Sequence, residues 1–140
     1  MRALITGATG FIGSHMIDYI RSRSIPVDIF ATRRWRAPMD NVKHLPEGAV
    51  RWIECDLTDY VATEDAIAEA RPDITFHFAA QSYVPASYQS PVATFRVNVE
   101  GTLNLLEAVS HVARDMGIER SHFRIVVVSS SEVYGNPVGV

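Results

Sequence analysis

Cysteine is nearly absent from this sequence, since Cys55 is the only one among its 140 residues. The chain can therefore form neither an internal disulfide nor a cysteine-rich metal site. It also lacks any apolar run close to the roughly 18 residues that span a bilayer. The apolar start of the chain stops at Thr6, which is too early for a signal peptide. These absences predict a cytoplasmic protein with no membrane association.

An excess of basic residues is missing as well. The 13 Lys and Arg residues and 16 Asp and Glu residues give a formal net charge of −3, whereas a domain that binds nucleic acid through its phosphates is usually strongly basic. The five histidines show no spacing typical of metal ligands. We therefore expect neither a nucleic-acid partner nor a metal site.

What the sequence does contain is an alternation of short apolar runs with longer helical patterns. The apolar fraction of 47% and the charged fraction of 21% are ordinary for a globular domain. The patterns predict strands over 3–6, 27–31, 50–54, 74–78 and 125–129, helices over 11–24, 61–70 and 92–116, and a surface loop over 32–48. The last helix is expected to pack through Val97, Gly101, Leu105, Ala108 and Val112.

Strands that alternate with helices form βαβ units, and mostly apolar strands indicate a parallel sheet covered on both faces. Right-handed crossovers then leave one simplest fold, a three-layer, doubly wound parallel sheet of the Rossmann type. We expect it to form a single domain over 1–140, with the strand over 125–129 buried like the others.

Three glycines lie between the first strand and the first helix, in the segment Gly7-Ala8-Thr9-Gly10-Phe11-Ile12-Gly13. Glycine allows a positive φ and close backbone approach, and a helix N-terminus presents free N–H groups to a phosphate. The spacing is G-x-x-G-x-x-G rather than the more common G-x-G-x-x-G. It predicts a pyrophosphate-binding turn for a dinucleotide, and a plain tight turn is the alternative.

The end of the second strand bears on the choice of cofactor. NAD-binding domains usually carry an acid there, which bonds the adenosine ribose. Here Arg33 and Arg34 follow the predicted strand, and the nearest acid, Asp28, falls early in it. Guanidinium groups suit a 2′-phosphate, so we expect NADP rather than NAD; a solvated basic loop is the alternative. Asp56 is expected either to accept from the adenine amino group or to cap a helix.

Five motifs occur in the order and spacing typical of one family: the segment from Gly7 to Gly13, Asp56-Leu57, His77-Phe78-Ala79-Ala80, Asn98-Val99-Glu100-Gly101-Thr102 and Ser129-Ser130-Ser131-Glu132-Val133-Tyr134-Gly135. With them the chain resembles the extended short-chain dehydrogenase/reductase family, which comprises sugar-nucleotide epimerases and dehydratases. The segment Ala80-Gln81-Ser82-Tyr83-Val84, followed by Ser87, is similar to that of GDP-mannose 4,6-dehydratases and related GDP-4-keto-6-deoxymannose reductases.

The resemblance implies cofactor contacts and substrate contacts beyond the glycine turn. It adds Leu57, Phe78, Ala79, Ala80, Ser82, Asn98 and Ser129 as cofactor-binding residues, and Ser82 and Ser87 as substrate-binding residues. Each has a structural alternative: tight packing for the two alanines, ordinary loop positions for the serines, and holding of neighbouring loops for Asn98. A nucleotide-sugar substrate, with a GDP-sugar favoured, and a homo-oligomeric assembly are implied as well.

The resemblance also implies two catalytic residues after the last strand. Ser130 would bond the sugar 4-oxygen as it becomes a carbonyl, where negative charge develops. Glu132 would remove the C5 proton and assist loss of water from C6. Epimerases commonly lack an acid at that position, so Glu132 favours a 4,6-dehydratase over the alternatives, an epimerase or a reductase. A helix-start acid is its structural alternative.

One expected feature is missing from the 140 residues. The family's Tyr-x-x-x-Lys, which supplies the catalytic base, does not occur anywhere in them. We therefore interpret the chain as the cofactor-binding portion of such an enzyme, without a C-terminal substrate domain and inactive by itself. A dinucleotide-binding module without catalysis is the alternative from a different functional class.

Overall fold

Five parallel strands form one sheet in the computed structural model, which describes residues 1–119 and 122–135. The strands are β1 (Arg2–Thr6), β2 (Asp28–Arg33), β3 (Arg51–Glu54), β4 (Ile74–His77) and β5 (Arg124–Val127). Their spatial order is β3-β2-β1-β4-β5, and every neighbouring pair is parallel. The chain reverses its direction of winding between β1 and β4, so the doubly wound Rossmann fold expected from the sequence is confirmed.

The helices connect these strands. They are α1 (Phe11–Ser22), α2 (Tyr60–Ala70), α3 (Val84–Gln89), α4 (Pro91–Phe95) and α5 (Gly101–Asp115), with a π-helical segment (Arg96–Glu100) between α4 and α5 and 3₁₀ turns over Asp40–Val42 and Ser131–Tyr134. None of the helices within the described ranges is long and apolar enough to cross a membrane.

The core lies on both faces of the sheet because neighbouring residues of a strand point to opposite sides. Leu4 packs into a cluster with α2 and α5, to which Ile67 and Leu105 belong. Its neighbour Ile5 packs on the other face with Ile17 of α1. The sheet is therefore a middle layer between two helical layers, and the apolar alternation within β1 fixes which helix covers which face.

A polar link also joins α2 to α5 at the surface. The Nδ1 atom of His111 in α5 bonds the carboxylate of Glu64 in α2, and its Nε2 atom lies 4.0 Å from the carboxylate of Asp115. These acids raise the pKa of His111 above its ordinary value, mainly through the hydrogen bond to Glu64. The charged form of His111 is therefore favoured in the folded chain.

The start of α2 decides between two interpretations of Asp56. Asp59 is the N-cap of α2, and its carboxylate accepts a hydrogen bond of 3.1 Å from the Ala62 N–H. The interpretation of Asp56 as the helix cap is therefore wrong. Its Oδ1 atom instead accepts from the backbone N–H and the hydroxyl of Thr58, at 3.0 and 2.8 Å.

Several predicted boundaries differ from the structure. β2 extends through Arg33, so Arg33 ends the strand instead of following it. The short helix α3 lies where only a loop was expected, with Pro85 in its first turn, where the missing N–H of proline is harmless. The predicted helix over 92–116 contains the π segment, and Val97 is only half-buried while Gly101, Leu105, Ala108 and Val112 are buried.

The expectation that the last strand is buried is wrong. Val126 and Val127 in β5 are each 44% exposed. The reason is its place in the sheet, since among the described residues β5 is an outer strand whose one paired neighbour is β4. Of its residues, Ile125 packs against the cluster beneath α2 and α5.

Gly13 and Gly101 offer a matched test of backbone packing, because both lie in the first turn of a helix. An added Cβ at Gly13 would lie 2.4 Å from the carbonyl oxygen of Gly7, which belongs to the backbone, whereas at Gly101 the nearest atom is the Leu57 Cβ at 3.3 Å. We expect Gly13→Ala to lower the free energy of unfolding by about 1–3 kcal/mol.

Gly101→Ala should change it by less than about 1 kcal/mol, because the gain in helix propensity offsets the tighter contact. Urea denaturation of both variants measures the difference. Equal losses in the two variants would contradict the packing described for Gly13.

Candidate functional site

A groove of about 630 Å³ runs along the carboxyl ends of β1 to β4. It lies at the point where the strand order reverses, the usual ligand site of an open α/β sheet. Four loops form its walls, and their lining residues are Gly7, Thr9, Gly10, Phe11, Ile12 and Gly13 after β1, Thr32, Arg33, Arg34, Ala37 and Pro38 at β2, Cys55, Asp56, Leu57 and Thr58 after β3, and Phe78, Ala79, Ala80, Gln81, Ser82 and Tyr83 after β4, together with Val97.

The glycine-rich turn (Gly7–Gly13) brings backbone to the floor of the groove. Gly7 has a φ of +67°, and an added Cβ would lie only 2.6 Å from the Ala79 nitrogen. Gly10, the N-cap of α1, provides no side-chain cap. The first N–H groups of α1 therefore face the groove without a capping side chain, at the positive end of the helix dipole. This arrangement suits an anion held by backbone groups.

Two arginines form one end of the groove. Arg33 is half-buried at the end of β2, and its Nη1 atom lies 3.9 Å from the Met39 sulfur. Arg34 is exposed beside it. The loop that follows is tied to the glycine-rich turn, because Asn41 donates from Nδ2 to the Thr9 carbonyl oxygen at 2.9 Å. Positive charge and the anion-binding turn are thus held in a fixed relation.

Acidic groups are scarce around these arginines. Asp56 is the one acid among the groove-lining residues of the described chain. It follows β3, and its Oδ1 atom is occupied by Thr58. Asp28 begins β2 and pairs with Arg2, at the strand end opposite to the groove. The end of β2 therefore offers an anion two guanidinium groups, while Glu54 of β3, the register partner of Arg33, does not line the groove.

Cys55 lines the groove beside Asp56 and is also buried in the core. Burial raises the pKa of its thiol above the ordinary value. The thiol is therefore neutral, and the thiolate is the reactive form. Cys55 therefore lines the groove and packs in the core, and we do not expect it to act as a nucleophile.

Hydrogen bonds behind the groove hold the segment that follows β4. The side-chain amide of Asn98 accepts from the Gln81 N–H at 2.7 Å and donates to the Gln81 carbonyl oxygen at 3.0 Å. His77, which ends β4, contacts the hydroxyls of Thr6 and Thr102 at 2.7 and 2.9 Å. Burial lowers the pKa of its imidazole.

The groove brings together most of the residues that the sequence predicts for cofactor binding, from Gly7 to Ser82. Asn98 and Ser129 are not among its lining residues. The structure shows Asn98 in the loop-holding role that was its structural alternative. Ser87, predicted to bind substrate, is half-buried in α3 and donates from its hydroxyl to the Val84 carbonyl oxygen at 2.7 Å.

The two predicted catalytic residues also lie outside the groove lining. Ser130 precedes the 3₁₀ turn after β5, where its Oγ atom accepts from the Glu132 N–H at 3.2 Å. Both side chains are exposed. They follow β5, the strand next to β4, whereas the groove lies over β1 to β4. Their contribution therefore depends on a ligand that extends beyond the groove.

Sequence reasoning missed several lining residues: Thr32, Ala37, Pro38, Cys55, Thr58, Gln81, Tyr83 and Val97. Most of them directly flank residues that were predicted, so their positions next to strand ends were the available signal. Val97 differs, because helical spacing indicated a packing role for it. Its place in the groove depends on the π-helical segment.

Across residues 1–119 and 122–135, no group of three or more His, Cys, Asp or Glu side chains is arranged to hold a metal ion.

The chain is similar to known proteins in both sequence and structure. The family model for GDP-mannose 4,6-dehydratase matches residues 4–140. The chain belongs to the extended short-chain dehydrogenase/reductase family of sugar-nucleotide epimerases and dehydratases. The family resemblance carried by the five motifs is thus confirmed.

Individual members of this family are similar over nearly the whole chain. CDP-paratose 2-epimerase from Salmonella typhi is 32% identical over 137 residues, covering 97% of this chain and 38% of the relative. dTDP-glucose 4,6-dehydratase from Xanthomonas campestris is 34% identical over 134 residues, covering 94% and 38%. The chain therefore spans less than two-fifths of the length of these relatives.

A solved structure of a family member is also similar. UDP-glucose 4-epimerase from Thermus thermophilus, in complex with NAD, superimposes with a TM-score of 0.67 at 39% sequence identity, covering 85% of this chain and 35% of that one. The family fold is therefore shared with proteins of differing reaction and substrate.

The pKa values of two histidines in this chain should depart from the ordinary value of 6.5 in opposite directions, downward for His77 and upward for His111. Burial lowers the pKa of His77, so the folded chain binds fewer protons there than the unfolded chain does below pH 6.5. The contribution of His77 to the free energy of unfolding is therefore complete above pH 6.5 and falls as the pH drops toward the lowered pKa.

His111 has the opposite sign. Its raised pKa makes its contribution complete below pH 6.5 and lost as the pH rises through that higher pKa. Imidazole NMR signals followed across pH measure both groups, and His111→Gln identifies the second signal. A His77 signal that titrates at or above pH 6.5 would contradict its observed burial.

Proposed function

We propose that this chain is the NADP-binding part of a sugar-nucleotide 4,6-dehydratase that acts on a GDP-sugar, with GDP-mannose favoured. The observation that carries the choice of cofactor is the pair Arg33 and Arg34 at the end of β2, a strand whose one acid, Asp28, lies at its opposite end. An acid at this strand end would bond the ribose of NAD and repel a 2′-phosphate. The match to the GDP-mannose 4,6-dehydratase family model supports the reaction and substrate.

The groove fits a dinucleotide at both of its phosphate positions. Gly7 and Gly13 let the turn pack directly on neighbouring backbone, and the uncapped start of α1 offers N–H groups to a pyrophosphate. Arg33 and Arg34, at the end of β2, are the groups that we assign to the 2′-phosphate on the adenosine ribose of such a ligand. When bound, the nicotinamide cofactor supplies hydride acceptance and return, which the amino-acid side chains cannot provide.

Ser130 and Glu132 are the residues that we assign to the sugar. The Ser130 hydroxyl would donate to the sugar oxygen on which negative charge develops. The Glu132 carboxylate would accept the C5 proton and give a proton to the C6 hydroxyl, which would leave as water. Both groups are exposed after β5, so each is open to a substrate that lies over the edge of the groove. Ser82, in the segment after β4, lines the groove and provides a further hydroxyl.

A second candidate has its own observation. Every Tyr in the 140 residues lacks a Lys four positions later, and the family resemblance places the catalytic base in such a pair. A dinucleotide-binding module without catalysis would need only the groove. The two candidates share cofactor binding and differ in turnover.

Replacing Arg33 tests the cofactor. A charge-assisted hydrogen bond contributes about 1.5–3 kcal/mol, so Arg33→Ala should weaken NADP⁺ binding roughly 10–100-fold. Binding of NAD⁺, which lacks the 2′-phosphate, should barely change. Adding Arg34→Ala should remove the remaining preference for NADP⁺. Isothermal titration with each dinucleotide at two salt concentrations measures these affinities.

Arg36→Ala is the matched control. It removes the same charge three residues away, but Arg36 stacks on the Trp35 ring and does not line the groove. Its NADP⁺ affinity should stay close to that of the wild type. Tighter binding of NAD⁺ than of NADP⁺ by the wild type, as the NAD complex of the Thermus thermophilus relative would suggest, would disprove the proposed cofactor.

Turnover separates the two candidates. The 140-residue chain should bind NADP⁺ but form no 4-keto product from GDP-mannose, because it contains no Tyr-x-x-x-Lys. A longer polypeptide in which this chain is followed by such a motif should form that product. Mass spectrometry of the nucleotide sugar detects the loss of water. Inversion at C4, or reduction of a keto sugar, would instead favour an epimerase or a reductase.

A further inference from the structure

His77 is a buried ionisable residue to which the proposed function assigns no role. It is only 3% exposed, at the end of β4 and beside Thr6 of β1 in the sheet register. Its two ring nitrogens contact hydroxyls from two different elements, Thr6 in β1 and Thr102 in α5. Each hydroxyl has one further backbone partner, the Ala79 N–H for Thr6 and the Asn98 carbonyl oxygen for Thr102.

The Thr102 side fixes the proton on Nε2. The Thr102 hydroxyl lies 2.8 Å from the Asn98 carbonyl oxygen, which can only accept. Its single proton is therefore used there, and the His77 Nε2 atom must donate to Thr102. Nε2 thus carries a proton.

The Thr6 side leaves Nδ1 without one. The Ala79 N–H can only donate, and it donates to the Thr6 oxygen at 3.3 Å. The hydroxyl proton of Thr6 then has the His77 Nδ1 atom as its acceptor, at 2.7 Å. A protonated Nδ1 would leave that hydroxyl proton without this acceptor. The contacts are all satisfied by a neutral imidazole, in agreement with its lowered pKa.

These bonds end on the segment that forms one wall of the groove. Thr6 holds the Ala79 N–H, and Ala79 is the residue against which Gly7 packs without space for a Cβ. Thr102 bonds the backbone of Asn98, whose side chain holds both backbone groups of Gln81. His77 therefore links the two anchors of the wall, one at Ala79 and one at Gln81.

We propose that His77 is a positioning residue for the groove: as the neutral tautomer protonated at Nε2, it fixes the backbone of Ala79 to Gln81 relative to the glycine-rich turn. The inference rests on the proposed dinucleotide binding. His77 does not line the groove, so it acts through Thr6 and Thr102 and touches no ligand.

The test compares Thr102→Val with Thr102→Ser in the 140-residue chain. Valine keeps the shape of threonine without the hydroxyl, serine keeps the hydroxyl, and Thr102 itself does not line the groove. Without the hydroxyl, Nε2–H loses its acceptor, and the ring can carry its proton on Nδ1 instead. We expect the Kd for NADP⁺ to rise about three- to tenfold in Thr102→Val and to stay near the wild-type value in Thr102→Ser.

Imidazole ¹⁵N NMR gives a second readout, because it reports directly which ring nitrogen of His77 carries the proton. Wild type and Thr102→Ser should show His77 protonated at Nε2, and Thr102→Val should gain the Nδ1-protonated form. The wild-type spectrum alone tests the predicted tautomer, without any substitution. If Thr102→Val does not fold by circular dichroism, Thr102→Ala removes the same hydroxyl for the titration.

Two results would overturn the inference alone: a wild-type His77 protonated at Nδ1, or a Thr102→Val variant that loses stability while its Kd stays unchanged. NAD⁺ is titrated in parallel. A wild-type chain that bound neither dinucleotide would overturn the proposed function and this inference together, so the two failures are distinguishable.

Discussion

The close approach of three backbone segments is the constraint on which the rest of the structure depends. Gly7, Gly13 and Ala79 meet at distances where an added Cβ would collide with backbone atoms instead of flexible side chains. Without that approach, α1 could not begin directly over the end of β1, and its first N–H groups would not reach the groove. Glycine here serves packing and binding at once, because the space that admits the neighbouring backbone also exposes the amides.

The groove is also organised by the sheet. Parallel strands bring their carboxyl ends to one edge, so each of four loops needs to supply only a few groups. The glycine-rich turn supplies backbone N–H groups, β2 supplies two guanidinium groups, and the segment after β4 supplies small residues. Side chains outside the groove, such as Asn41 and Asn98, hold these loops through backbone atoms. Binding groups and holding groups are therefore separate residues with different sensitivities to substitution.

Much of this could be predicted from the sequence, because the signals were local. Alternating apolar periods give the doubly wound parallel fold once right-handed crossovers are assumed, and glycines at a strand end give the phosphate turn. Features that depend on distant contacts could not be read in this way. The exposure of Val126 follows from the edge position of β5, and α3 follows from a short segment whose helical period is too brief to recognise. The role of His77 could not be predicted from its neighbours in the sequence, because its hydrogen-bond partners lie 71 and 25 residues away in the chain.

The π-helical segment Arg96–Glu100 has a consequence for how the chain uses its longest helical stretch. A regular helix advances about 100° per residue, so the extra residue in a wide turn rotates everything before it relative to everything after it. The face of α5 that carries Leu105 and Ala108 stays against the sheet, while Val97 reaches the groove. The π-helical segment thus lets one continuous helical stretch contact the groove with its first part and the sheet with its later part. Insertion or deletion of one residue in this segment would rotate the two parts relative to each other by about 100°, without altering the composition of either.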